Sequence, residues 1–338
     1  MARRIGDPGT LAYALAGYNA SNHRPDFTPE QGALATELIR LATEAGEPEL
    51  VVEGLEHRAT AQLELGDMQG AKADMVAMAK MADEIRQPSQ DWIVLVYRAL
   101  LALLEGDFAK AEGHISDEPG LGGRAQSWNA AVTYGLQLYV LRREQGRLAE
   151  VEELVRYSVE TYPTYPIWRC VLAQTAAQLG DPSEADRALE ALVVDMPVDE
   201  EWLVGIGLLA EAASTLGDSD RASLIYDRLR PYGDRVAVSY PEISMGSVSR
   251  NLGLLAATME RWDDAARHFE DALEMNSRIG ARPWLAHAQE DYARMLSGRD
   301  DPGDQERSRE LMQAAELAYG ELGIPPTGLS GGTAPSSP

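Results

Sequence analysis

The chain has 338 residues, 45% of them hydrophobic, with 30 basic against 54 acidic side chains and a net charge of -24. Such a surface repels phosphate backbones and anionic lipid, which argues against nucleic-acid or membrane-surface binding by this segment. A single cysteine, Cys170, rules out an intrachain disulfide and a thiolate metal cage, and fits a reducing, cytoplasmic setting. No stretch reaches the roughly 18 uninterrupted apolar residues of a membrane span, and the N-terminus lacks a signal-peptide core, so a soluble chain is expected. Nearly all basic residues are Arg, with Lys only at Lys72, Lys80 and Lys110, a bias that reads as codon usage rather than chemistry. Helix formers dominate and Phe numbers 3, so an all-α fold follows, either as two ordinary domains or as one solenoid sized by repeat number.

The opening Met1-Ala-Arg-Arg-Ile-Gly-Asp-Pro reads as the last turn of one helix, a Gly stop and a Pro-started next helix. Glu274 to Pro283 has the same Arg-Ile-Gly exit and Pro restart, so residue 1 is expected to fall inside a larger solenoid. Helical pairs then succeed one another at 9–22 and 28–45, 48–65 and 68–86, and 89–105 and 107–115. The last of these is read as a short helix ended by a Pro119-Gly-Leu-Gly-Gly123 loop. Further pairs follow at 125–145 and 148–161, 165–179 and 182–195, 199–216 and 219–230, 244–260 and 262–279, and 283–297 and 304–322. Residues 325–338, rich in Gly, Ser and Pro, read as a disordered tail after a single helical-repeat domain over 1–324.

The turns inside the pairs supply a ruler. They fall at Gly66, Gly106, Gly146, Gly180 and Gly217, then at Glu260 where Gly is absent. Five residues after each stands a small or β-branched apolar residue: Ala71, Ala111, Val151, Ala185, Ala222 and Ala265. Close crossing of two helices requires this, since a large side chain there would push the backbones apart.

The clearest unit runs from Ser247 to Leu296. Leu252 and Gly253 lie in one helix, with Ala265, Phe269 and Ala272 in the next. These five fall on the Leu-Gly, small, aromatic and Ala positions of the 34-residue tetratricopeptide (TPR) pattern, which the unit resembles. The family's Trp, Tyr and Pro positions hold Ser249, Ala256 and Ser277 instead. The resemblance implies a right-handed superhelical solenoid of about eight antiparallel helix pairs, and carries over no ligand site.

Several motifs have a bland reading and a sharp one. Gly205-Ile-Gly207-Leu-Leu-Ala210 matches a dinucleotide-binding pattern on paper, but a helix opened at Asp199 runs straight through it, so the glycines read as close-packing positions. His23, His57, His114, His268 and His287 show no metal-ligand spacing, and Cys170 on an apolar face reads as a small core residue. Acidic clusters such as Asp199-Glu200-Glu201 sit at helix starts, where they complement the dipole. No catalytic, cofactor-binding or metal residues are therefore assigned. Trp92, Trp128, Trp168, Trp202 and Trp284 recur early in successive first helices, at gaps of 36, 40, 34 and 82 residues. Each could cap the inter-repeat core, or some could line a concave face that grips a peptide or apolar ligand. With Tyr134, Tyr139, Tyr162 and Tyr165 nearby, the middle repeats are the more aromatic, and Trp128, Tyr134, Tyr139, Trp168 and Trp202 are the candidate concave-face residues.

The ordered chain also resembles the C-terminal TPR-like region of large bacterial signal-transduction proteins, which join an ATPase module, sometimes with a cyclase or LuxR-type DNA-binding domain, to a helical solenoid. Gly6-Asp-Pro-Gly-Thr-Leu-Ala-Tyr-Ala-Leu, Leu141-Arg-Arg-Glu-Gln-Gly-Arg-Leu-Ala-Glu, Leu252-Gly-Leu-Leu-Ala-Ala-Thr and Gly280-Ala-Arg-Pro-Trp-Leu-Ala-His carry it. No Walker motif, cyclase carboxylate motif or C-terminal helix-turn-helix is present in the sequence, so the resemblance implies the regulatory portion of such a regulator. The expected function is a non-catalytic scaffold for a protein, a peptide or a parent ATPase or regulator domain. The alternatives are an effector sensor binding a small molecule or peptide on its concave face and, more remotely, an enzyme on a helical scaffold.

Overall fold

The computed structural model describes residues 7–127, 129–193 and 195–325. Among the described residues there are sixteen α-helices and one two-stranded sheet. The first six helices are α1 (Pro8–Ala20), α2 (Thr28–Ala45), α3 (Pro48–Glu64), α4 (Met68–Ile85), α5 (Pro88–Glu105) and α6 (Phe108–Ala125). Then come α7 (Ala130–Glu144), α8 (Glu152–Thr161), α9 (Ile167–Leu179), α10 (Pro182–Leu192), α11 (Trp202–Leu216) and α12 (Ser219–Leu229). After β1 (Val236–Ser239) and β2 (Ile243–Ser247), the chain closes with α13 (Val248–Thr258), α14 (Trp262–Ile279), α15 (Arg282–Arg299) and α16 (Asp304–Leu322). Most consecutive helices pack directly on one another. The all-α reading therefore holds apart from the hairpin. The opening Arg-Ile-Gly and, from residue 326, the Gly/Ser/Pro tail lie outside the described residues.

Local chemistry places the helix ends. Asp7, Asp67, Asp107, Asp181 and Asp218 each cap a helix by accepting a hydrogen bond from the backbone N–H three residues on, which satisfies a donor the helix leaves unpaired. The turn markers all adopt the left-handed conformation, from φ 65° at Gly217 to 83° at Gly180, and Glu260 does so at φ 57° despite its side chain. The residues five positions later, Ala71 through Ala265, are all buried. In the template pair, Gly253 lies so close to the Phe269 ring that a Cβ there would stand 2.8 Å from two ring carbons. Leu252, Ala265, Phe269 and Ala272 are buried with it, so the TPR-like positions are packing positions.

Beyond shifts of a few residues at helix ends, such as the helix expected from Asp199 that begins at Trp202, two segments depart from the sequence reading. The Pro119-Gly123 segment is not a loop: α6 continues to Ala125 with Pro119 inside it. The reason is a stripe at helical spacing. Phe108, Ala111, Ile115, Glu118 and Gly122 are all buried, and Gly122 lets Ala130 and Trp92 approach. Packing along the whole face outweighs the hydrogen bond that Pro119 cannot make. The helix expected from 244 begins instead at Val248, because residues 243–247 form the second strand of a hairpin.

That hairpin organises the interior. Its strands pair antiparallel with Val236 opposite Ser247, Val238 opposite Ser244 and Ser239 opposite Ile243, with an irregularity after Val236. Every strand residue is buried. A lone two-stranded ribbon is marginal in water. Here β1 lies against α3 and α11, while β2 lies against α5, α7, α14 and α15. Gln137 of α7 donates to the carbonyls of Val96 (3.0 Å) and Glu242 (2.8 Å), tying the turn to α5 and α7. Asn276 of α14 accepts from the Ser247 N–H (2.8 Å) and donates to the Trp284 carbonyl (3.1 Å).

The chain also returns on itself. Helices α5 and α15 touch, Leu322 packs over Gly106, and His287 of α15 bonds Glu144 of α7 at 2.8 Å. A buried ionic chain lies beside this contact: Glu211 is held by Arg143 (2.8 Å) and Arg250 (2.5 Å), and Arg250 also binds Asp291 (2.8 Å). Burial alone would raise the Glu211 carboxyl, but the two guanidinium groups bring it down to about 2. These contacts link α7, α11, α13 and α15, which are distant in sequence.

Candidate functional site

A half-open chamber of about 730 Å³ is lined mainly by the first helices of the chain, with Glu200 and Tyr240 added from further on. One side of α1, at Gly9, Tyr13 and Ala20, faces α3 across it. Helix α3 supplies Glu49, Leu50, Val52, Glu53, Glu56 and His57, and the start of α5 supplies Ser89, Gln90, Trp92 and Ile93. Tyr240, at the tip of the hairpin and followed by a cis peptide bond to Pro241, reaches the chamber from the interior.

Positions 49, 53 and 56, with 52 and 57 beside them, fall on one face of α3 through the three- and four-residue helical spacing. The turn after α1 brings His23 against them. The His23 Nε2 and His57 Nδ1 atoms share a hydrogen bond of 2.8 Å, and both rings are buried. Tyr240 lies over the pair, its ring centroid 4.1 Å from that of His23 and 5.5 Å from that of His57. His57 Nε2 makes no hydrogen bond; its nearest charged neighbour is Glu53, 3.6 Å away. Trp92, also buried, leaves its indole Nε1 without a partner.

The electrostatics are one-sided. Five glutamates, at 47, 49, 53, 56 and 200, line the chamber, and among the described residues no Lys or Arg does. Burial pushes the Glu56 carboxyl up to about 7; His57 and a hydrogen bond from Tyr240 oppose that rise, while Glu53 adds to it. Burial, and secondarily the His57 charge, holds His23 well below the ordinary histidine value, so its ring is neutral at pH 7. Deeper inside, Glu118, Glu201 and Glu242 form an acidic interior. Burial, then the charge of Glu242, raises Glu118 to about 8; burial, then Glu242, Asp199 and Glu200, raises Glu201 to about 9. Burial, only partly opposed by hydrogen bonds, raises Glu242 to about 8. No group of three or more His, Cys, Asp or Glu side chains among the described residues is arranged to hold a metal ion.

The aromatic candidates lie elsewhere. Tyr139 is buried and donates to Gln174 at 2.7 Å. Trp168 is buried against Gly135, and Trp202 is buried edge-on to Tyr232 with ring centroids 5.2 Å apart. Tyr134 is half-buried against the core, and Trp128 lies outside the described residues. None of the four described candidates lines the chamber. Of the recurring tryptophans, Trp92 does. Sequence reasoning weighed His23 and His57 only as scattered histidines without metal-ligand spacing, and did not single out Glu53, Glu56 or Tyr240. The local signal was faint: Val236-Ala-Val-Ser followed by Tyr-Pro and Ile-Ser-Met is a strand–turn–strand composition. Cys170 is buried, with its thiol 3.7 Å from the Met196 sulfur, and burial pushes its pKa up. No family model matches the chain, and no curated protein matches it in sequence.

Proposed function

We propose that this chain is a non-catalytic regulatory module, a right-handed superhelical TPR-like solenoid of about eight helix pairs that binds a small effector in the chamber between α1, α3 and α5. The observation that carries this reading is the position of Tyr240. It contributes to the chamber, yet it is the tip of a hairpin packed against α3, α5, α7, α11, α14 and α15. A ligand on Tyr240 therefore pushes on an element that joins helices from α3 to α15. Differential contact with two arrangements of that element is what coupling between distant sites requires. In the bacterial regulators that the sequence resembles, the attached ATPase or DNA-binding module would receive the change.

The test is a thermal-shift screen of small metabolites against the chain and its Tyr240→Ala variant. Saturable stabilisation of the parent but not of the variant is the expected result. Stabilisation that survives the substitution would place the ligand elsewhere and overturn the reading. A second reading, a protein partner or parent domain gripped by the solenoid, is favoured by the exposed Tyr13 and Tyr18 on α1. A partner whose capture is lost on Tyr13→Ser and Tyr18→Ser, with no small-ligand response, would favour that reading.

A further inference from the structure

We propose that the chamber recognises a small aliphatic polyamine, one primary ammonium group seated among Glu53, Glu56 and His57 and a second near the mouth at Glu47 and Glu49. This rests on the chamber being the effector site, and it adds the chemical class of the occupant. Elsewhere in the molecule three buried carboxylates meet arginine: Asp74 is clamped by Arg58 at 2.7 Å, Asp304 by Arg299 at 2.7 Å, and Glu211 by two guanidinium groups, while the buried Glu118, Glu201 and Glu242 have no such partner and are pushed toward the protonated form. In the chamber, Glu53 and Glu56 are half-buried and Glu47, Glu49 and Glu200 are exposed. No Lys or Arg among the described residues forms an ion pair with Glu47, Glu49, Glu53, Glu56 or Glu200, although the cavity gathers all five; Glu49 accepts a hydrogen bond from the neutral Gln87 amide at 2.6 Å. A bound cation supplies the missing charge.

The second observation is the unpartnered Nε2 of His57, whose side chain is 2% exposed. When His57 Nδ1–H donates to His23, Nε2 presents a lone pair beside Glu53. A primary ammonium has three donors and no acceptor, so it can satisfy that nitrogen and two carboxylates together. A quaternary ammonium has no N–H for these acceptors, and among the described residues no group of three or more His, Cys, Asp or Glu is arranged to hold a metal ion. The faces of Tyr240 and neutral His23 flank the same place and favour a cation over water. A volume near 730 Å³ exceeds what one ammonium fills, and the carboxylates lie at both the floor and the mouth, which suits a linear molecule charged at both ends. The net charge of -24 steers cations toward the surface.

The groups facing Glu56 are Glu53 and His57 on its own helix, Tyr97 from α5 and Tyr240 from the hairpin. Glu56 ionises near neutrality while an alkylamine stays protonated, so affinity should rise between pH 6 and pH 8, a window fixed by the Glu56 value of about 7. The experiment is calorimetric titration of the full chain with putrescine and with spermidine. Butane-1,4-diol serves as the uncharged control, and Mg²⁺ at matched ionic strength as the counterion control. The expected result is one saturable site, silent with the diol, not displaced by Mg²⁺, and weakened about tenfold or more by Glu56→Gln and by the more exposed Glu53→Gln, as befits loss of a charge-assisted bond. Several weak equivalent sites competed by Mg²⁺ would mean counterion attraction alone and would overturn the proposal. Silence toward amines, with another ligand class binding and blocked by Ser89→Trp in the chamber wall, would refute the polyamine and leave the effector site standing. Silence toward every ligand would remove both.

Discussion

Replacing Glu211 with Gln should be among the most damaging single changes in this chain. The substitution keeps shape but removes the charge that compensates Arg143 and Arg250, both of which are almost wholly removed from solvent. Arg250 would keep Asp291 at 2.8 Å, whereas Arg143 would keep Glu144, at 3.7 Å, as its one carboxylate neighbour among the described residues, beside the Trp284 ring. Breaking a buried pair by removing one partner costs about 3–5 kcal/mol, because the orphaned charge stays buried. Against a typical total of roughly 5–15 kcal/mol, that is a large share. At about 2 °C per kcal/mol for a chain of this length, the melting temperature should fall by roughly 6–10 °C. Urea denaturation followed by circular dichroism at 222 nm measures the loss directly, provided the slope is unchanged. The paired substitution of Arg143 and Glu211 by Met, which leaves the Arg250–Asp291 pair in place, should recover more than half of it. A Glu211→Gln loss below about 1 kcal/mol would refute the claim that these charges are desolvated and mutually dependent.

Other outcomes follow from the same reasoning. Glu118, Glu201 and Glu242 hold protons in the folded chain up to about pH 8–9 that the unfolded chain releases at ordinary carboxylate values. Stability should therefore fall as pH climbs from 5 toward 9, and a melting temperature that rises over that range would contradict the assignment. Gly246→Ala should cost more than about 1 kcal/mol, since φ is +70° and the new Cβ would stand 2.5 Å from the Trp284 Cβ; chemical denaturation reads it. Glu260→Gly should stabilise by about 1 kcal/mol, relieving the left-handed strain that the glycine turn markers avoid. Cys170 should resist thiol reagents in the folded chain and react at full rate in denaturant; fast native labelling would show that the α9–α11 core opens.

The helical skeleton was legible because its rules are local. A residue in the left-handed conformation ends a helix, and a small residue five positions later allows the next to cross it; both can be read from a few neighbouring letters. Helix α6 was not legible because the local rule pointed the wrong way. Pro119 and three nearby glycines argue for a loop, and only the stripe from Phe108 to Gly122 shows that the face is needed for packing. The hairpin was lost by extending a helical period back through Ile243-Ser-Met-Gly-Ser, where Ser-rich strands lack a clear alternation. The chamber is tertiary throughout: His23, Glu53, Trp92 and Tyr240 stand far apart in the chain, and nothing in their spacing predicts convergence. Of the recurring tryptophans, Trp168, Trp202 and Trp284 are buried in the core, while the buried Trp92 also borders the chamber, so their spacing did not mark a binding face.

An open array of helical pairs has two free ends, and each pair depends only on its neighbours. Contact between α5 and α15 changes that boundary condition. Residues near 100 cannot complete their surroundings until residues near 290 have been made, so the first half of the chain must wait, partly uncovered, for the last helices to arrive. Long-range closure of this kind slows folding. A chain shortened from its C-terminal side should therefore lose order near Gly106 as well as at the cut, where an open array would lose only its last pair.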